Sequence, residues 1–308
     1  MTFREQTYGL LRGTAKLAWY GDPRYLNVGT EAIRSVPPIS ERGERILSTI
    51  LDEIIQHKRT EVSAAAAMMP FSELLARIPD APPVRGFLKA LRSAAPPGLI
   101  AEVKKASPSV GLIRSDFDPV EIAAQYESAG AACLSILTDE RFFQGHLNYL
   151  KQVREKVSIP VMRKEFIIDR YQIAEARVAG ADCVLLIAEC LTQHELRSLY
   201  DYSHELGMDV LIELYDRENL DAVLSTGTEL LGVNNRDLRT FVTSLNRTFE
   251  LRSLIPQNVL MVSESGIRSH DDIRLLREAG VGAVLVGETL MRQPDISAAV
   301  KLLMTGAL

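Results

Sequence analysis

The chain has little of what metal and redox chemistry require. Its 308 residues hold three cysteines, Cys133, Cys183 and Cys190, without a Cys-x-x-Cys pair. An odd number of widely spaced thiols excludes a closed disulfide framework and fits reduced structural cysteines. The five histidines, His57, His146, His194, His204 and His270, are scattered, and no His-Glu-x-x-His run occurs, so no zinc signature exists and no metal is expected. No apolar run reaches the roughly 20 residues of a membrane-spanning helix. The Met-Thr-Phe-Arg start has no signal-peptide core, and a cytoplasmic address is the expectation. An excess of positive charge is also missing. The net charge of −5 argues against nucleic-acid or membrane partners, so any anionic ligand must be met by a local cluster of bases.

What is present is a repeating pattern. Residues 1–43 show weak periodicity, mixed charge and a Pro37-Pro38 pair, and read as an N-terminal extension, partly ordered or docked on the body. From Glu44, Ile46, Ile50, Leu51, Ile54 and Ile55 recur at helical spacing, with Lys58, Arg59 and Glu61 among the polar positions. A second helical stretch spans 71–78 and a short helical turn 87–91, so 44–97 is expected to be a helical segment packed on the main body. From Gly98 onward, apolar runs at 99–104, 132–137, 159–164, 182–187, 209–213, 229–234, 259–265 and 283–287 alternate with amphipathic helical stretches such as 119–129 and 270–279. Their spacing suits one βα unit each. This predicts an α/β fold, a single (β/α)8 TIM barrel over 98–308 with an N-terminal helical extension. A doubly wound sheet is the alternative. It would usually carry a nucleotide fingerprint at its first turn, whereas Gly280-Val281-Gly282 precedes a strand and reads as a helix stop with a tight turn.

In such a barrel, active sites lie where strands end. Glu102 and Lys104 lie two apart on the first run, so both face one side, and a charged pair on a buried strand is costly unless paired or functional. Other runs end in Lys164, Glu213, Asn234 and Ser265. Taken singly, the lysines also fit side chains whose heads reach water, Glu213 a turn carboxylate, Asn234 a turn residue and Arg236 a surface pair. Two lysines ending different strands of one sheet are harder to explain that way. Gly266 and Gly287 follow the last two runs, where this fold commonly holds a phosphate, because glycine lets backbone N–H groups approach it closely. A phosphorylated small substrate is the first functional inference. Lysine and carboxylate in close quarters suit proton transfer on a sugar phosphate: isomerisation, dehydration, ring closure or aldol chemistry, with Schiff-base formation also open.

Seven segments carry a more specific likeness: Ile100–Ser109, Leu134–Asp139, Arg163–Ile167, Leu211–Glu213, Gly232–Leu238, Ser263–Ile267 and Leu285–Met291. Together with the lead-in helix 50–59, the chain resembles the indole-3-glycerol-phosphate synthase family of tryptophan biosynthesis. The resemblance implies a cofactor-free carboxy-lyase. It would convert 1-(2-carboxyphenylamino)-1-deoxyribulose 5-phosphate to indole-3-glycerol phosphate, CO2 and water. By the same resemblance, Lys164 is the general acid of ring closure and Glu213 an acid/base group that restores aromaticity. Glu102 and Lys104 serve later proton transfers, and Asn234 and Ser265 position the intermediates. Ser107 and Arg236 would hold the anthranilate carboxylate. Gly266, Gly287 and Glu288 would offer N–H groups to the phosphate, with Lys104 touching an anionic group. Leu137, Phe143, Ile187 and Leu285 are the expected apolar walls. Other tryptophan-pathway enzymes are partners that the resemblance raises. Two positions depart from the pattern: Glu165 stands where many relatives carry Asp, and Glu288 where some carry Ser. A ribulose-phosphate epimerase or phosphoribosylanthranilate isomerase would be expected to use other acid/base sets. A barrel that merely binds a phosphorylated ligand has no use for all four of Glu102, Lys104, Lys164 and Glu213.

Overall fold

The computed structural model describes residues 49–237 and 239–307. The expected extension at 1–43, and residues 44–48 of the helical segment, lie outside the described residues. The strands in chain order are β1 (Gly98–Val103), β2 (Ala106–Ser107), β3 (Gly111–Leu112), β4 (Cys133–Leu137), β5 (Val161–Lys164), β6 (Cys183–Ile187), β7 (Asp209–Leu214), β8 (Leu230–Asn234), β9 (Leu260–Glu264) and β10 (Ala283–Val286). All but β2 and β3 form one closed parallel barrel, which β1 completes by pairing with β10 on one side and β4 on the other. The expected apolar runs coincide with these strands. The β2–β3 hairpin was not expected, because two-residue arms are too short for alternation to register.

The helices are α1 (Ile50–Met68), α2 (Phe71–Ala76), α3 (Phe87–Ser93), α4 (Pro119–Ser128), α5 (Leu147–Lys156), α6 (Arg170–Val178), α7 (Gln193–Glu205), α8 (Leu220–Ser225), α9 (Asn246–Arg252), α10 (His270–Glu278), α11 (Glu288–Met291) and α12 (Ile296–Thr305). Their starts are written locally. Asp118 caps α4 with Pro119 at its first position, and Asp169, Thr192 and Ser269 open α6, α7 and α10 through reciprocal capping boxes.

Alternation along each strand decides what faces the barrel axis. On β1, Leu99, Ala101 and Val103 join the layer between strands and helices, whereas Ile100 joins Cys133, Met162, Leu185, Leu211, Val262 and Leu285 inside. One more step along each strand brings the inward side chain to the mouth, where the polar residues begin.

The segment before the barrel runs along its outside from one end to the other. Ile54 of α1 packs into the inner cluster at the mouth. Leu74 of α2 packs on Tyr171 and Ala174 of α6, and the Tyr171 hydroxyl shares its proton between Ala65 O and Met69 O, each at 3.1 Å. Arg85 then reaches Ile159 O and Arg154 O. Phe87 and Leu91 of α3 close the opposite end, with Leu88 N donating to Asp209 Oδ2 at 2.9 Å.

Candidate active site

At the mouth, the inward positions that end the strands form an arc of charge and an arc of apolar wall around one cavity of about 440 Å³. Lys164, at the end of β5, is held between two carboxylates: its Nζ lies 2.6 Å from Glu213 Oε2 and 2.7 Å from Glu264 Oε2. Asn234 Nδ2 donates to Glu213 Oε1 at 2.9 Å, and Arg236 N donates back to Asn234 Oδ1. Across the ring, Lys104 Nζ lies 2.6 Å from Glu102 Oε2. The same-face reading of this pair therefore holds in space.

These contacts set the protonation states. Burial disfavours the charge on Lys164, but Glu213, Glu264 and Glu102 outweigh it and hold the ammonium above the usual lysine range. The two carboxyls are driven apart. Burial opposes ionisation of Glu213, yet Lys164 and Asn234 win and keep its pKa low. Glu264, buried and facing both Lys164 and the charged Glu213, is pushed up to about 8. One carboxylate and one carboxylic acid thus flank a single ammonium at neutral pH, a division suited to acid and base work.

The elevated Glu264 has a consequence for stability. A carboxyl with a raised folded-state pKa favours the fold at low pH and loses that contribution as pH rises through the folded value. Unfolding free energy is expected to fall between pH 4.5 and about 8, with this group adding a slope of up to about 1.4 kcal/mol per pH unit. Urea titrations at pH 5, 6.5 and 8 should show a flatter slope for Glu264→Gln, and an identical slope would assign the dependence elsewhere.

The remaining expected residues line the same cavity. Leu137, Phe143, Ile187 and Leu285 form its apolar side, joined by Ile50, Leu51 and Ile54 of α1 and by Phe166. Ser107 and Arg236 stand between the two sides: Ser107 Oγ is 3.3 Å from Ser109 Oγ, to which Arg236 Nη1 donates at 2.7 Å. On the far side, Ser265 and Gly266 both take positive φ, 66° and 82°. A Cβ on Gly266 would lie 2.7 Å from Thr243 Cγ2, so the backbone here is bare by necessity. At Gly287, which precedes α11, an added Cβ would collide with the Glu102 carboxylate. The Glu288 side chain turns away to Arg292, 3.1 Å from both Nε and Nη2, and to Arg236 at 3.5 Å. Arg268 lines this side as well.

Comparison with known proteins agrees with this geometry. The family model for indole-3-glycerol phosphate synthase matches residues 51–303. The chain belongs to the indole-3-glycerol phosphate synthase family. An indole-3-glycerol phosphate synthase of Rhodopirellula baltica is 54% identical over 256 residues, 83% of this chain and 99% of that protein. One of Geobacillus thermodenitrificans is 50% identical over 252 residues, 82% and 95% of the two chains. A crystal structure of 3-hexulose-6-phosphate synthase from Salmonella typhimurium shares the fold, with TM-score 0.55 and 13% identity, covering 67% of this chain and 96% of that one. Among the described residues, no helix is long and apolar enough to cross a membrane.

Two features of this family member escaped the reading of its sequence. Glu264 is the first, passed over in favour of its neighbour Ser265. The missed signal was alternation: Val262 faces inward, so Glu264 must as well, while Ser263 between them turns outward to Asn235 Nδ2 and the Thr248 hydroxyl. The second is Lys58, placed among polar positions. It is 3% exposed, with Nζ 2.8 Å from Asp139 Oδ2 and 3.1 Å from Glu165 Oε1, and it also pairs with Glu61. Burial works against its charge, but Glu165 and Asp139 outweigh burial and hold the ammonium above the usual lysine range. Removing one partner from such a buried cluster costs about 3–5 kcal/mol.

Proposed function

We infer that this chain is an indole-3-glycerol-phosphate synthase, a carboxy-lyase that closes 1-(2-carboxyphenylamino)-1-deoxyribulose 5-phosphate to indole-3-glycerol phosphate, CO2 and water. The observation that carries the reading is the Lys164 ammonium, gripped by Glu213 and Glu264 between an apolar wall and a glycine-bordered, arginine-lined rim. The anthranilate ring lies against Leu137, Phe143, Ile187 and Leu285. The phosphate lies at the backbone of Gly266, Gly287 and Glu288, within reach of Lys104. Ser107 and Arg236 hold the carboxylate that will leave.

With both ends fixed, the ring carbon bearing the carboxylate sits against the ribulose carbonyl carbon in near-attack geometry. As the new C–C bond forms, the carbonyl oxygen takes a proton from Lys164 Nζ. The C–CO2 bond then breaks, and its electron pair returns to the ring as CO2 leaves, with Glu213 assisting the return to aromaticity. In the last step Glu102 removes a proton from the carbon next to nitrogen, and Lys104 protonates the departing hydroxyl, which leaves as water. Asn234 keeps Glu213 ionised and aimed, and Ser265 positions the sugar hydroxyls. In this reading residues 49–97 of the helical segment cover and plug the catalytic barrel that begins at residue 98.

The test is turnover of the carboxyphenylamino-deoxyribulose phosphate by the purified protein, followed by indole fluorescence without added metal. Product formation saturating in substrate is expected. No product at any enzyme concentration would sink the assignment.

A further inference from the structure

We propose that Lys58 is a positioning residue of the aromatic subsite: it anchors α1 over the barrel mouth and locks together the two backbone segments that carry Phe143 and Phe166. The proposal rests on the reading of the cavity's apolar side as the seat of the substrate ring.

Ile50, Leu51, Ile54 and Lys58 fall on one face of α1 by helical spacing. The first three line the cavity and the fourth does not, so Lys58 acts on the site only through its partners. Besides Glu61 on its own helix, those partners are two carboxylates from different strand ends. Asp139, fully buried, accepts Phe142 N at 2.7 Å and Phe143 N at 3.1 Å through Oδ1, leaving Oδ2 for Lys58. Glu165 accepts Phe166 N at 2.9 Å through Oε1, the same oxygen that meets Lys58, and the Thr138 hydroxyl at 2.8 Å through Oε2. The Phe143 and Phe166 rings pack with centroids 5.9 Å apart. One ammonium therefore joins three segments, each of which supplies apolar wall to the same cavity, and Glu165 directly follows Lys164. If Lys58 served stability alone, its loss would not discriminate between the ring end and the phosphate end of the substrate.

The experiment compares wild type with Lys58→Met, Lys58→Arg and the charge-balanced Lys58→Met/Asp139→Asn, which keeps the carbonyl that accepts Phe142 N and Phe143 N. The double variant carries the test if the single one fails to fold. For each folded Met variant, KM is expected to rise about tenfold with kcat within about threefold. A substrate analogue with its ribulose carbonyl reduced to an alcohol should lose affinity in parallel. Competitive inhibition by inorganic phosphate should stay within about twofold of wild type, because that end of the site does not depend on α1. Lys58→Arg should recover part of the loss, since it keeps the charge. Amide hydrogen exchange over 50–68 should rise in the Met variants while the barrel strands stay protected. Unchanged KM and analogue affinity in a folded Met variant would overturn the proposal. Equal weakening of phosphate inhibition, or unaltered exchange in α1, would overturn it as well. If wild type itself neither turns over substrate nor binds the analogue, the assigned function fails, and the exchange measurement still decides whether Lys58 anchors the helix.

Discussion

Lys164→Ala is expected to lower kcat by on the order of a thousandfold or more while leaving a carbonyl-reduced substrate analogue bound within about threefold of wild type. The asymmetry follows from what Lys164 touches. Its Nζ contacts Glu213 and Glu264, whereas the proposed seats of ring and phosphate are made by other groups, so in the proposed mechanism the residue contributes where charge develops on the carbonyl oxygen rather than to ground-state binding. Loss of the ammonium leaves two buried carboxyls face to face. Glu264 already holds its proton up to about pH 8, so the pair is relieved by protonation and the fold survives. Lys164→Arg sharpens the test. Arginine keeps the charge but does not give up its proton near neutral pH, so it should bind the analogue and still fail to turn over. Single-turnover kinetics with each variant checks this, and near-normal kcat in Lys164→Ala would remove the residue from the mechanism.

Gly266→Val is expected to raise KM on the order of tenfold to a hundredfold, and more than it lowers kcat. Two penalties act together. The position has φ of 82°, where a β-branched side chain is strained by about 1–3 kcal/mol. Its Cβ would also meet Thr243 Cγ2 at 2.7 Å, so the backbone or the Thr243 loop must move at the rim proposed to hold phosphate. Inhibition by inorganic phosphate should weaken in parallel. An unchanged KM would place the phosphate elsewhere.

Much of this molecule could be read before its coordinates. Short apolar runs separated by amphipathic stretches marked every barrel strand, because a parallel strand buried on both faces reads as a near-continuous apolar run. The strand ends yielded Glu102, Lys104, Lys164, Glu213 and Asn234, since a charge at the end of an apolar run stands out locally. What stayed hidden depended on distance in the chain. Lys58 meets Asp139 and Glu165 only once β4 and β5 lie side by side, and a lysine on an amphipathic helix looks exposed until a partner is known. The β2–β3 hairpin was too short to show a period. Glu264 was legible in principle, through alternation from Val262, but Ser265 and Gly266 drew attention to the turn rather than to the strand's last inward position.

The segment that crosses the outside of the barrel also bears on how the chain is made. Helices α1 to α3 leave the ribosome before any of their partners in the barrel exist. Lys58 waits for Glu165, and Leu88, which bonds Asp209, waits for a residue 121 positions later. Helices α2 and α3 are short enough to be marginal on their own, and α1 has no barrel carboxylate for Lys58 until Asp139 and Glu165 are made. The apolar face of α1 that lines the cavity is thus exposed early in biosynthesis. Ile50, Leu51 and Ile54 thus serve as exposed apolar surface in the nascent chain and as cavity wall in the folded one.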